Sequence, residues 1–398
     1  MAQKEIYLDH AATTYVRKEA LDAMLPCMTD IYGNPSSLHA FGQKARAALD
    51  AARADIAAAL HARPEEIFFT SGGTESDNWA LRGVAAARGG KGRHIITSKI
   101  EHPAVLNTAQ TLEKAGFAVT YLDVDADGVV RLDQLKSALT AETILVSIMA
   151  ANNEIGTIQP IEEIGRIVKE NSNASLHVDA VQAVGAIEVN LETWKNVDLL
   201  SISGHKFYGP KGVGALFVRK GTRIHPSATG GSQEKGRRAG TENVPGAVGM
   251  AKALELAVAE MPGEAARLIA LRDHLITRVL AEMDGVRLNG HRTQRLPNNA
   301  NFSFDYIEGE SLLMRMNALG VAASTGSACS SASLEPSHVL LAIGLKHETA
   351  HGSFRITMGK TTTREDIDYT VEALKGVVRS LREMSPLYDA QKGVCHVQ

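Results

Sequence analysis

A lysine surrounded by glycines is the first residue of the sequence that suggests chemistry. In the segment SISGHKFYGPKG, Lys206 follows an apolar, strand-like run and lies between Gly204 and Gly209. A lysine held at the end of a strand is suited to form a Schiff base, because its uncharged amine can attack a carbonyl carbon. A solvated loop lysine would give the same pattern, so Lys206 alone does not decide between the two.

An acidic residue and an amide follow a second strand-like run. The segment HVDAVQ places Asp179 at the end of that run and Gln182 three residues later. A buried carboxylate is costly unless it meets a cation, which a protonated pyridine nitrogen would supply, and the Gln182 amide could meet the phenolic oxygen of such a ring. A helix N-cap is the alternative explanation for Asp179.

The segment SGGTES at 71–76 is typical of a phosphate-binding turn between a strand and a helix. Exposed amides around Gly73 at a helix N-terminus would bind phosphate, and Thr74 would add a hydroxyl donor. No Gly-Lys-Ser/Thr follows, which argues against nucleotide hydrolysis. An ordinary capped helix would also explain the segment.

Two histidines, a cysteine and an arginine complete the candidate residues. His102, in EHPAV, could lie over a cofactor ring or act as an acid or base, and His205 is a candidate phosphate ligand. Cys329 lies in a stretch rich in Ser, Ala and Gly, which predicts a mobile loop with a reactive thiol. Arg355 suits a bidentate grip on a carboxylate. Each of the four, taken singly, could also be structural or merely exposed.

The elements around these residues alternate between strands and helices. This alternation predicts an α/β structure in layers around a mostly parallel sheet. The strand-like runs are 67–70, 94–97, 119–122, 144–149, 176–178, 199–202 and 215–218. Because the carboxyl ends of parallel strands form the ligand crevice, we expect the polar segments after them to meet at one site. These segments are 71–76, 101–105, 152–156, 179–182 and 203–206.

The length of 398 residues predicts a large and a small domain. A long Ala-rich helix is expected over 36–62, and a second helical stretch runs past Met261 and resumes at 265–283. We place the large domain at 15–260 and the small α+β domain, which carries the Cys329 segment, at 261–398 together with 1–14. The final segment KGVCHVQ is expected to be disordered.

Charge and composition argue against several classes of protein. The 42 basic and 45 acidic residues are spread along the chain and give a net charge of -3, so neither nucleic acid nor a membrane surface is an expected partner. The sequence has no apolar leader and no apolar run of about 18 residues. Cys27, Cys329 and Cys395 lie too far apart for a disulfide framework or a zinc site, which favours the cytoplasm and a free thiol.

Taken together, the motifs resemble the class I cysteine desulfurases, the NifS/IscS-like enzymes of iron–sulfur cluster assembly, nearly from end to end. They occur in the order of that family and include YLDHAATT, YGNPSSLHAFG, SGGTESDN, EHPAV, NNEIGT, HVDAVQAVG, SGHKFYGPKGVG, RRAGTENV and GSACSSASLEPSH. The resemblance implies a fold-type I, aspartate aminotransferase-like enzyme with a seven-stranded sheet, pyridoxal 5'-phosphate and a homodimer. The tripeptide before Thr241 is more similar to the nitrogen-fixation branch than to the housekeeping one.

The resemblance also implies a role for each candidate residue. Lys206 would form the Schiff base and transfer protons, Asp179 would pair with the pyridine nitrogen, and Gln182 would contact the phenolic oxygen. His102 would stack on the ring and serve in acid–base steps. The phosphate ligands would be Gly73, Thr74, Ser203 and His205, with Thr241 reaching the cofactor of the neighbouring subunit. Asn153 and Arg355 would bind the substrate carboxylate.

The implied reaction takes sulfur from L-cysteine onto Cys329 as a persulfide and releases L-alanine. The persulfide would then supply an iron–sulfur scaffold protein and other acceptors, and Cys329 could ligate a cluster shared with that partner. Rival interpretations are another fold-type I enzyme, such as an aminotransferase or a selenocysteine lyase, and a noncatalytic scaffold for iron–sulfur assembly. An aminotransferase would not need Cys329, and a scaffold would not need the cofactor residues.

Overall fold

The computed structural model describes residues 5–325, 336–385, 388–389 and 394–395. Cys329 lies outside the described residues. The strands are β1 Ile6–Tyr7, β2 Ile67–Thr70, β3 His94–Ser98, β4 Ala118–Leu122, β5 Thr143–Met149, β6 Ser175–Asp179, β7 Leu199–Ser203, β8 Gly214–Val218, β9 Val286–Asn289, β10 Asn299–Phe304, β11 Val321–Ala322, β12 Ser353–Thr357, β13 Tyr388–Asp389 and β14 Val394–Cys395. The helices are α1 Lys18–Thr29, α2 Ala40–Ala59, α3 Gly73–Arg88, α4 Pro103–Lys114, α5 Leu132–Ala138, α6 Ile161–Asn171, α7 Gln233–Gly236, α8 Val244–Glu282, α9 Gly309–Ala318, α10 His338–Ala342, α11 His347–His351 and α12 Arg364–Met384.

A seven-stranded sheet forms the centre of the fold. Its strand order is β2-β8-β7-β6-β5-β3-β4, and only β8 runs antiparallel to its neighbours. Residues of the central strands are buried on both faces, as expected for a sheet that helices cover on each side. Phe68 packs in a core with α3 and α4, while Ile67 and Phe69 share a core with α2, α6 and α8. The predicted mostly parallel α/β sheet is confirmed.

A second core forms around a smaller antiparallel sheet. This sheet has the order β12-β10-β9, and its Phe302, Phe304 and Phe354 are fully buried. The same core takes apolar side chains from the second half of α8 and from α12, including Leu275 and Leu374. A mixed α+β unit therefore lies beyond the large sheet, and the boundary between domains at 260/261 stays a prediction.

Helix α8 is a single helix of 39 residues with Pro262 inside it. The predicted interruption between Met261 and Ala265 is therefore wrong. A proline inside a helix removes one hydrogen bond and costs about 3 kcal/mol. Apolar contacts on both sides of it oppose that cost, because Leu254 is buried in the first core and Leu275 in the second.

Two other parts of the chain differ from the prediction. Helix α2 begins at Ala40 rather than near residue 36, because the His39 side chain accepts a hydrogen bond from Gly42 N and caps the helix there. Near the C-terminus, β13 pairs with β14, so residues 394–395 form part of a strand pair where disorder was expected. None of the helices in the described parts of the chain is long and apolar enough to cross a membrane.

Candidate active site

Polar segments that follow the strands line one cleft. It contains about 1190 Å³ of empty space, part of it open to solvent, at the carboxyl ends of β3, β5, β6 and β7. Parallel strands end at one edge of the sheet, so their following segments meet there. The predicted site residues that line the cleft are Gly73, Thr74, His102, Asn153, Asp179, Gln182, Ser203, His205, Lys206 and Arg355.

The Lys206 amine is held against the N-terminal segment of the chain. Lys206 ends a short 3₁₀ turn, Gly204–Lys206, that follows β7 directly. Its Nζ donates to the carbonyl oxygens of Ala11 at 2.5 Å and Ala12 at 2.9 Å, and Gln182 Nε2 donates to the same Ala11 oxygen at 2.9 Å. The residues around Ala11 therefore hold the amine and the amide side by side in the cleft.

The His102 ring is neutral, and one of its nitrogens accepts a hydrogen bond from the backbone. It caps α4, and its Nδ1 accepts a hydrogen bond from Ala104 N at 3.1 Å. Burial lowers the pKa of His102; the Asp179 charge opposes this shift, and the Lys206 charge adds to it. A neutral imidazole whose Nδ1 accepts carries its hydrogen on Nε2, so His102 has one N–H donor and no net charge.

Asp179 is a buried carboxyl group at the end of β6. It is 6% exposed, and its Oδ1 accepts a hydrogen bond from Val181 N at 2.9 Å. Burial raises the pKa of Asp179, whereas the Val181 N–H and the charges of His102 and Lys206 lower it in part. Such a group is stabilised as an anion by a cation in the cleft.

A smaller cup adjoins the cleft where α3 begins. Gly72 has a φ of 154°, and a Cβ at Gly214 would lie 2.7 Å from the Gly72 Cα, so these backbones approach closely. Burial, followed by the Lys206 and Lys211 charges, lowers the pKa of His205 to about 4, so this ring is neutral near pH 7. The cup joins helix amides, hydroxyls and one cationic amine, with Gly73, Thr74, Ser203, His205 and Lys211 among its lining residues.

Arg355 and Asn153 lie together on the side of the cleft formed by β12. Arg355 is 2% exposed, its Nη1 donates to the Asn153 carbonyl oxygen at 2.9 Å, and its Nη2 contacts Asp9 Oδ1 at 2.7 Å. These contacts fix the plane of the guanidinium group. An oriented guanidinium is suited to bind a carboxylate in bidentate geometry.

One described residue among those predicted, Thr241, does not line this cleft, and Cys329 cannot be placed relative to it. Thr241 is exposed and is absent from the lining of both the cleft and the cup of its own chain. Cys329 is outside the described residues, but both described flanks of its segment are fixed at the cleft. On one side Ser324 pairs with Arg355 through the backbone, and on the other Ser337 Oγ donates to Glu154 Oε2 at 2.5 Å.

Comparison with known proteins identifies the family of this chain. Residues 6–370 match the aminotransferase class-V family. The chain belongs to this family. The cysteine desulfurase IscS of Dictyoglomus turgidum is 58% identical over 384 residues, which cover 96% of this chain and 97% of that protein. A solved structure of a NifS-like protein has a TM-score of 0.89 at 42% identity and covers 94% of this chain and 100% of that one.

A further solved structure similar to this chain is that of SspA in complex with cysteine. It has a TM-score of 0.78 and 38% identity, and the match covers 89% of this chain and 98% of that one. The class-V relatives confirm the predicted fold type I and the predicted dependence on pyridoxal phosphate.

The cleft and the cup together fit pyridoxal phosphate. The buried Asp179 carboxyl has one hydrogen-bond donor among the described residues, which leaves it suited to a pyridinium cation. The cup at the N-terminus of the 16-residue α3 presents amides, hydroxyls and Lys211 to a phosphate group. The Lys206 amine opens into the same cleft. A carboxyl group, an amine and a phosphate-binding cup therefore lie together at this cleft.

Sequence reasoning missed three side chains at this site. Asp9 contacts Arg355, His338 Nε2 lies 3.0 Å from the Glu101 carbonyl oxygen, and Asp77 lines the cleft from the second turn of α3. Asp9 and His338 do lie within motifs that were recognised, YLDHAATT and SLEPSH, and that was the available signal. Asp77 lies within the recognised motif SGGTESDN as well, but no feature of that motif distinguishes it from an exposed helix residue.

Proposed function

We propose that this protein is a cysteine desulfurase that transfers the sulfur of L-cysteine to Cys329 and releases L-alanine. The observation that carries the proposal is the single cleft in which Lys206, Asp179, His102 and Arg355 meet. This set supplies an amine, a partner for a pyridine ring, a neutral acid–base group and a carboxylate receptor. Membership in the class-V family supports the assignment.

Lys206 is the proposed attachment point and the proposed base. Its amine would hold the cofactor, and once the substrate amine had displaced it, the freed Lys206 amine would take the proton from the substrate Cα. Pyridoxal phosphate, when bound, supplies an electron sink for this deprotonation. The Ala11 and Ala12 carbonyl oxygens, at 2.5 and 2.9 Å from Nζ, keep the amine at the cleft.

The remaining cleft residues orient the reactants. Asp179 would hold the pyridine nitrogen, and Gln182 would contact the phenolic oxygen. His102 would stack on the ring and use its Nε2–H to exchange a proton, because its Nδ1 is engaged by Ala104 N. Gly73, Thr74, Ser203 and His205 would hold the phosphate.

Arg355 and Asn153 would bind the carboxylate of cysteine. Arg355 is already paired with Asp9, so the incoming carboxylate shares the guanidinium rather than meeting an isolated cation. The short contact at 2.7 Å fixes the direction of its Nη2. Substrates without an α-carboxylate would lose this contact.

Cys329 is the proposed sulfur acceptor. Its thiolate attacks the sulfur of the substrate, the bond between sulfur and Cβ breaks, and the electron pair stays on the carbon fragment. Protonation of that fragment gives alanine, and the sulfur remains on Cys329 as a persulfide, so no external oxidant or reductant is consumed. The fixed flanks at Ser324 and Ser337 support this proposal, because the chain between them begins and ends beside the cleft.

The proposal includes protein partners. Sulfur from Cys329 would pass to an iron–sulfur scaffold protein and to other acceptors, and Cys329 could ligate a cluster shared with that scaffold.

A homodimer is proposed as well, with Thr241 reaching the phosphate of the neighbouring subunit. Exposed apolar side chains one turn apart on α1 support such an interface: Leu21 is 45% exposed, Leu25 49% and Met28 54%. The nitrogen-fixation branch stays a prediction.

The test measures alanine and sulfide released from L-cysteine with a reductant present. The native protein should yield both in equal amounts, Cys329→Ala should yield neither, and the matched cysteine control Cys395→Ala should behave as the native protein. A yellow protein that forms neither product would contradict the cysteine substrate and leave the cofactor assignment standing. A keto acid as product would indicate an aminotransferase instead.

A further inference from the structure

A chain of buried polar groups leads to the cleft and has no role in the proposed reaction steps. Ser147 on β5, His177 on β6 and Ser201 on β7 are each 0% exposed. Ser147 Oγ lies 2.8 Å from His177 Nδ1, and His177 Nε2 lies 2.9 Å from Ser201 Oγ. The same Nε2 lies 3.6 Å from Asp77 Oδ1, so the chain of groups leads to Asp77.

Asp77 differs from its neighbour Asp179 in its hydrogen bonds. Asp77 is 2% exposed and lines the cleft, and its Oδ1 has no hydrogen-bond partner among the described residues. Asp179 has the Val181 N–H as a donor and lies near Lys206. Because one buried oxygen of Asp77 has no donor, whereas Asp179 has a donor and a nearby amine, the negative charge is better stabilised on Asp179.

The electrostatics of the pair agree with this geometry. Burial and then the charge of Asp179 raise the pKa of Asp77 well above its ordinary value, and the nearby Ser201 hydroxyl opposes the shift only in part. Two interacting carboxyl groups in a dry site do not both ionise readily. A proton is therefore retained by the pair when the cleft binds one cation.

We propose that Asp77 is a positioning residue that stays protonated and leaves Asp179 as the carboxylate for the cofactor. Through Ser201, the protonation state of Asp77 also determines which ring nitrogen of His177 carries the hydrogen. This inference rests on the proposed role of Asp179. A protonated Asp77 donates toward Ser201, Ser201 donates to His177 Nε2, and His177 donates from Nδ1 to Ser147. An ionised Asp77 reverses every donor, which places the hydrogen of His177 on Nε2.

His177 is suited to report this direction because it does not take up a second proton. Burial lowers the pKa of His177 to about 3, so the ring is neutral near pH 7 and has only its two tautomers. The two serine contacts, at 2.8 and 2.9 Å, fit either tautomer equally well. The charge at Asp77 therefore decides between them.

The first experiment measures the protonation state of Asp77 and does not depend on enzyme activity. The full-length holoenzyme is compared with Asp77→Asn by infrared spectroscopy of carboxylic-acid C=O bands and by ¹⁵N NMR of His177, assigned with His177→Gln. We expect a protonated-acid band that Asp77→Asn removes, and the Nδ1–H tautomer of His177 in both proteins. The control Glu101→Gln should remove a different band and leave the tautomer unchanged. An absent Asp77 band, or the Nε2–H tautomer in the native protein, would overturn the proposal.

The second experiment measures the dissociation constant of pyridoxal phosphate by reconstitution. Asp77→Asn keeps a neutral donor and should stay within about three-fold of the native value, whereas Asp77→Ala removes it and should weaken binding about ten-fold. Equal losses in the two variants, or no loss in Asp77→Ala, would contradict a neutral positioning role. Asp179→Asn should weaken binding about 100-fold. If it does not, the proposed role of Asp179 fails, while the infrared result on Asp77 still stands by itself.

Discussion

Replacing Glu234 should destabilise the large core far more than its place in the four-residue helix α7 suggests. The Glu234 side chain is 2% exposed and that of Arg53 is 8% exposed. Glu234 accepts hydrogen bonds from Arg53 at 2.7 and 2.8 Å and from Phe69 N at 3.0 Å. Glu234 also has a φ of 45°, and the following Lys235 a φ of 58°, both in the left-handed region. The ion pair therefore holds a strained turn against β2.

The magnitude follows from the charge left behind. Glu234→Gln keeps the shape of the side chain but leaves the Arg53 guanidinium buried without its anion, which costs about 3–5 kcal/mol in comparable pairs. The exposed pair Lys18–Asp22 is a matched control, because its side chains are 82% and 53% exposed. Asp22→Asn should change the free energy of unfolding by less than about 1 kcal/mol.

The assay is urea unfolding of the holoenzyme, followed by circular dichroism and tryptophan fluorescence. If Glu234→Gln costs no more than Asp22→Asn, the argument from burial is wrong. The double variant of Arg53→Met with Glu234→Leu should recover much of the lost stability, because two apolar side chains need no partner. Failure to recover would indicate that the Phe69 N–H bond to Glu234 matters more than the charge pair.

Three further changes test other parts of the structure. Burial raises the pKa of Glu101 to about 8 from an ordinary value of 4.5, so the native state loses stability as pH rises through that window. Glu101→Gln should remove this loss, up to about 1.4 kcal/mol per pH unit, in unfolding measured from pH 5 to 8. Gly214→Ala would place a Cβ 2.7 Å from Gly72 Cα and should lower the affinity for pyridoxal phosphate in a binding titration. Phe304→Ala should cost about 3–5 kcal/mol of unfolding free energy, whereas Leu38→Ala, at a side chain 91% exposed, should cost less than about 0.5.

The position of the cleft could be predicted from the sequence, because several of its residues directly follow strands in the chain. Lys206 and Asp179 each follow a strand of the parallel sheet, and strands of that kind place their next residues at one edge. Asp77 could not be predicted in this way, because its neighbour His177 is 100 residues away in the chain and is brought close by the order of strands. The contact between Asp9 and Arg355 depends on the same long-range topology.

Helix α8 shows the opposite limit of sequence reasoning. Pro262 predicts a break, and only the packing of both halves of the helix against different cores explains its continuity. The roles of the site residues were carried by the resemblance, not by spacing. Thr241 illustrates this, because it does not line the described cleft and no local pattern distinguishes it. Cys329 lies outside the described residues, so its role also depends on the resemblance.

The continuity of α8 also limits how this protein can be divided or recombined. At 1.5 Å per residue its 39 residues extend over about 58 Å, and the predicted boundary at 260/261 falls inside it. A chimera joined there with a relative would need both halves of one helix to match two different cores at once. Exchange of the smaller unit as a cassette should therefore succeed only when the whole of α8 travels with one parent.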